Sequence, residues 1–183
     1  MDGLRWIEEL VNTRSLEFDT DDIADPYALT AWFRERGLLA HADSVSGEAL
    51  RKAVILREGL RALIGRNCRA GDDGRDPATG VDAAALGDLA ALAATLPLAV
   101  DVDADPPRLA PVSADPVEAA LARILAGVAA AVADGTWFRM KVCRQPDCRW
   151  AYYDESRNRS RTWCSMESCG NRAKARSFRQ RHR

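Results

Sequence analysis

A chain of 183 residues, 47% hydrophobic and 29% charged, has room for one packed core and a small appended module. Its net charge of -1 conceals a division: residues 139–183 hold 13 Lys/Arg against four acids, a balance of +9, while the first 138 residues hold 13 against 23, a balance of -10. Asp2, Glu8 and Glu9 break any N-terminal secretory run, and the two most apolar stretches are interrupted by Asp88 with Pro97 and by Glu118 with Arg123, so the expectation is a cytoplasmic protein that does not enter a membrane.

Leu4, Ile7, Leu10 and Val11 recur at helical spacing and predict a first helix ending near Asn12, Thr13 and Arg14, with Trp6 sharing its buried face. Asp25-Pro26 reads as a cap and first-turn proline for a helix through Arg36, which Gly37 stops. From Ser46 to Ile64 the pattern is a longer amphipathic helix, with Arg51, Lys52, Arg57, Glu58 and Arg61 expected on its charged side. Asn67 to Gly80 is rich in Gly, Asp and Pro and predicts an exposed loop, and an alanine-rich helix follows from Val81 to Thr95. Leu98–Asp103 and Arg108–Val112 fit a two-stranded hairpin, Asp115-Pro116 opens a helix through Val132, and Asp134-Gly135 ends it. Trp137–Val142 then predicts a strand leading into Cys143. The expected fold class is a mainly α N-terminal domain with a small β-hairpin, residues 1–135, followed by a compact module over 136–183.

That module carries the chemistry. Cys143 and Cys148 enclose four residues, Cys164 and Cys169 enclose four more, and fifteen residues separate the pairs. Two short loops of this kind deliver two sulfurs each to a tetrahedral cation, which predicts one structural Zn2+ held by Cys143, Cys148, Cys164 and Cys169. Four thiolates leave no coordination position open for water, and two histidines without a phosphate loop or nucleophile set give no other catalytic constellation, so an enzyme is not expected. Cys68 stands outside the pattern. His182 is not expected to be a ligand.

Between the pairs, Trp150, Tyr152 and Tyr153 precede a polar turn carrying Arg157, Arg159 and Arg161; Trp150 and Trp163 are expected to form a miniature core over the metal. A short hairpin linking the metal loops and a helix starting at the last ligand predict a treble-clef-like layout. In that helix Arg172, Arg176, Arg179 and Arg183 fall along one face. The expected contacts with double-stranded DNA are phosphate contacts by Arg172, Lys174, Arg176 and Arg179, helped by Arg157, Arg159 and Arg161, with Asn171 and Gln180 as candidate readers of base edges. Two other classes compete with DNA binding: a zinc-stabilised module that docks an acidic protein partner, and a thiol-based redox switch that loses zinc on oxidation.

The stretch Cys169-Gly170-Asn171-Arg172, with the paired cysteines, Trp150, Tyr153-Asp154, the arginine turn, Trp163-Cys164-Ser165-Met166 and Lys174, resembles the CGNR zinc-finger family. Val11-Asn12-Thr13-Arg14, Trp32 and Gly37-Leu38 resemble the ABATE domain that precedes such fingers. The resemblance implies a bacterial, stress-responsive transcription regulator. Around it, the long acidic N-terminal part is expected to regulate the finger, through a small-molecule effector or through homo-oligomerisation, with Asn12, Thr13, Arg14 and Trp32 as the candidate ligand pocket.

Overall fold

The computed structural model describes residues 2–68 and 80–181. Most of the expected Asn67–Gly80 loop, His182 and Arg183 lie outside the described residues. The chain opens with α1 (Asp2–Val11), followed by a two-residue-per-strand hairpin, β1 (Arg14–Ser15) and β2 (Thr20–Asp21). Three helices come next: α2 (Pro26–Glu35), α3 (Gly47–Gly65) and α4 (Gly80–Ala93). The second hairpin, β3 (Leu98–Asp101) and β4 (Arg108–Pro111), pairs Val100 with Leu109 in antiparallel register. Then come α5 (Pro116–Ala133), β5 (Met140–Val142), β6 (Ala151–Tyr153) and α6 (Asn171–Arg181).

The helix starts follow local chemistry. The Asp25 carboxylate accepts the Ala28 N–H at 2.8 Å, the Ser46 hydroxyl accepts the Ala49 N–H at 3.1 Å, and Asp115 accepts from Val117 and Glu118 at 2.9 and 2.8 Å. Gly37 (φ 66°) and Gly135 (φ 76°) end α2 and α5 in the left-handed region that favours glycine. Trp137–Val142 differs from the expected strand. Trp137–Arg139 is a 3-10 turn that buries Trp137, and only Met140–Val142 is extended.

Ile7, Leu10 and Val11 of α1, Leu56, Leu60 and Ile64 of α3, and Leu121 and Ile124 of α5 are all fully buried in one core. Helices α1 and α5 cross in backbone contact: a Cβ on Gly3 would lie 2.7 Å from the Gly127 Cα. Helix α5 has the length and mean hydropathy, 1.6, of a membrane span, and its Val117, Ala120, Leu121, Ile124 and Ala131 pack into this core. The same core includes Trp137, Met140, Val142 and Ala151, so packing runs without a break from the helices into the β5–β6 hairpin.

The expected charged side of α3 needs correction. Arg57 and Arg61 are each only 3% exposed. Arg57 grips both carboxylate oxygens of Asp21 at 2.7 and 2.9 Å and donates to the Thr13 hydroxyl at 3.2 Å. Arg61 donates to the Val11 and Arg14 carbonyls at 2.6 and 3.2 Å and pairs with Glu58. The Val11 carbonyl, at the end of α1, has no partner within its helix, and the Arg61 guanidinium supplies the missing donor.

Candidate metal centre

The four expected ligands come together. Cys143 and Cys148 lie in the loop between β5 and β6, Cys164 follows the arginine turn, and Cys169 lies in the wide helical turn Met166–Gly170 that opens into α6. Their sulfurs all lie within 4.8 Å of one another, with Cys148–Cys164 at 3.7 Å and Cys164–Cys169 at 3.6 Å. Zinc–sulfur bonds of about 2.3 Å in a tetrahedron require S···S edges of about 3.8 Å. The residues fit one structural zinc, and four thiolates would complete its coordination.

Local backbone geometry prepares this charge. The N–H groups of Gln145 and Cys164 donate to the Cys143 sulfur, and the Trp150 N–H donates to Cys148. The Cys148 hydrogen bond, ahead of an opposing effect of burial, holds the Cys143 thiol down to about 5. Cys148 is pushed up by that same hydrogen bond and by burial, and burial pushes Cys164 up to about 12. A divalent cation would replace the protons that the crowded sulfurs otherwise share.

The hairpin does not link the two metal loops as expected. It pairs Val142 with Ala151 and Met140 with Tyr153, with the first cysteine loop at its tip, and the Cys143 N–H closes that loop on the Trp150 carbonyl at 2.8 Å. Trp163 packs against the cysteines, whereas Trp150 is 38% exposed and faces away from the miniature core expected for it.

A buried ion pair shapes the arginine turn. Lys141 reaches the fully buried Asp154 at 2.6 Å and also donates to the Arg159 and Arg161 carbonyls. Asp154 in turn accepts the Ser156 and Arg161 N–H groups at 2.9 and 3.0 Å. Burial alone would raise this carboxyl, but Lys141, Ser156 and Arg161 outweigh it and hold it down to about 2. The turn they define leaves Arg157 and Arg159 exposed, with Arg159 at φ 50°. Arg161 bends back: its guanidinium stacks 4.6 Å over the Tyr152 ring and donates to the Trp163 and Cys164 carbonyls.

Helix α6 divides in the same way. Lys174 and Arg179 are exposed. Arg172 donates to the Cys169 sulfur at 3.0 Å and grips Glu17, in the β1–β2 turn, at 2.7 and 2.9 Å. Arg176 donates to the fully buried Gln145 at 2.6 Å, and Asn171 donates to the Glu167 carbonyl at 3.0 Å. A single open row of guanidinium groups is therefore corrected: Arg172 and Arg176 turn towards the metal centre because the Cys169 sulfur, the Glu17 carboxylate and the Gln145 amide oxygen accept from them there. Sequence reasoning missed Lys141, Gln145 and Glu17. A polar residue inside a cysteine loop, as Gln145 is, was the one available signal.

Of the four candidate pocket residues, Asn12, Thr13 and Trp32 line a cleft of about 740 Å³, with Glu8, Asp22 and Trp150 among its other walls. Arg14 is not among the lining residues and pairs with Asp19. Asn12 also joins the two parts of the chain: its side chain donates to the Ala151 carbonyl at 2.9 Å and accepts the Ala151 N–H at 2.8 Å. Thr13 caps Leu10 at 2.7 Å, and Trp32 stacks beneath Arg36 at 4.1 Å.

Residues 139–182 match the family described as CGNR zinc finger. The chain matches no curated protein. Residues 4–135, which contain the Asn12 clamp, the buried Arg57 and Arg61 and the acidic turn that holds Arg172, match the model of ABATE, described as "Putative stress-induced transcription regulator", and the chain belongs to that family.

Proposed function

We propose that this chain is a DNA-binding transcription regulator, in which a zinc-centred finger of residues 136–183 presents a basic surface and the helical part, residues 1–135, regulates it. The observation that carries this reading is the placement of Arg157, Arg159, Lys174 and Arg179, all exposed, on a turn and a helix that are both anchored to the cysteine centre. Such a surface can neutralise successive phosphates of a duplex. Arg161, Asn171, Arg172 and Arg176 flank it, their side chains held by hydrogen bonds to Trp163, Glu167, Glu17 and Gln145. In this reading the protein works where DNA is, in the cytoplasm of a bacterium, and a small-molecule effector or self-association would act through the N-terminal helices.

A gel-shift salt series with zinc-loaded protein and its own promoter region tests the proposal. Lys174→Ala with Arg179→Ala is expected to weaken binding across sequences and to flatten the log–log salt slope by about 0.9 for each lost phosphate contact. Unchanged affinity and slope in that double variant would overturn it. The exposed Phe178 and Met166 beside these bases favour one second reading, a module that docks an acidic protein partner. Partner retention without salt-dependent DNA binding would select it.

A further inference from the structure

The cleft of about 740 Å³ lies where α1 and α2 meet the finger, and its volume suits a small molecule rather than a bare ion. Its charged lining is unbalanced. The bases Arg5 and Arg36 both bind Glu9, at 2.7 and 2.6 Å, and Arg36 also reaches Glu35 at 3.3 Å. Glu8 and Asp22 remain as acids facing the same space. Burial, and then the charge of Glu9, raise the Glu8 carboxyl above its ordinary value despite the pull of Arg161, which is the signature of an anion short of solvent and counter-charge. Phosphates and other anions are repelled by such a lining.

The aromatic walls complete the chemistry. Arg36 already places a guanidinium 4.1 Å from the Trp32 ring centre, a cation held on an indole face at the edge of this cleft. The second indole, Trp150, is 38% exposed. Ala28 and Ala31 add apolar floor between the polar groups.

We propose that this cleft binds a small organic cation, an ammonium (quaternary included) or guanidinium on a short aliphatic body, with its head against Trp150, Glu8 and Asp22. Trp150 adjoins Ala151, which Asn12 clamps, and its N–H donates to the ligand Cys148, so occupancy of the cleft bears directly on the first cysteine loop. The regulatory half of this inference rests on the DNA-binding reading; the binding half does not.

The binding test therefore contains no DNA. Agmatine, choline and the neutral choline isostere 3,3-dimethylbutan-1-ol are titrated into full-length, zinc-loaded protein by calorimetry. At least one cation is expected to saturate at about ten-fold lower concentration than the isostere, and Glu8→Gln and Trp150→Leu are each expected to weaken it about five- to ten-fold with zinc content unchanged. No saturation by either cation below about 10 mM, equal binding of the isostere, or full affinity in Glu8→Gln overturns the site. Glu8→Gln decides even if Trp150→Leu sheds zinc. A gel shift with and without the cation tests the coupling: altered DNA affinity supports it, and unchanged affinity overturns it while the cation site stands. Failure of the DNA reading itself shows in the cation-free lanes.

Discussion

Removing the charge of Asp154 would strand the Lys141 ammonium among carbonyls, because both groups are buried and the carboxylate also holds the Ser156 and Arg161 N–H groups. A buried pair broken on one side costs far more than the pair itself contributes. Asp154→Asn is expected to destabilise the zinc-loaded finger by roughly 3–5 kcal/mol, seen as a lower denaturant midpoint and faster zinc release to a chromogenic chelator. Cys164→Ser should act more severely. With one thiolate gone from four, the site is expected to lose its tight zinc stoichiometry and the finger its fold, read by metal analysis and circular dichroism of freshly reduced protein.

At the scale of elements, the β1–β2 hairpin is held to α3 by the bidentate Arg57–Asp21 pair. Burial opposes ionisation of Asp21, but Arg57 prevails and keeps its carboxyl below the ordinary value. A folded value below the unfolded one means that the pair stabilises fully above the unfolded aspartate's pKa of about 3.9 and that this contribution fades as pH falls towards the folded value. The stability difference between the wild type and Asp21→Asn is therefore expected to stay constant at neutral pH and to shrink in the acid range below about 4, measured by urea unfolding. The helices themselves were legible because their signals are local: Asp25-Pro26, Ser46 and Asp115-Pro116 cap helices within three residues of themselves. Arg57 and Arg61 were misread because their partners, Asp21 and the Val11 carbonyl, lie 36 and 50 residues away, beyond what a helical period can express.

At the scale of the whole molecule the same limit governs the candidate site. The cysteine pairs were legible from spacing alone, whereas the engagement of Arg172 depends on Glu17, 155 residues distant in the chain. The Trp150 wall of the cleft depends likewise on how β6 lies against α1. Because Trp137, Met140, Val142 and Ala151 belong to the helical core, a chain ending at Gly135 would expose apolar surface rather than release a finished domain. Such a truncation is expected to melt at least several degrees lower than the full chain and to bind a hydrophobic dye. Zinc-loaded full-length protein should unfold in one transition, monitored together by tryptophan fluorescence and far-ultraviolet dichroism.

Asn12 gives β6 what a neighbouring strand would give it. Its primary amide offers Ala151 one donor and one acceptor, the same pair that a peptide group of another chain would offer. The open side of a two-stranded hairpin is ordinarily a template for unwanted pairing between molecules. Here a single side chain blunts it at Ala151. Asn12→Leu would leave that edge bare, and the consequence to look for is self-association growing with protein concentration, visible by light scattering.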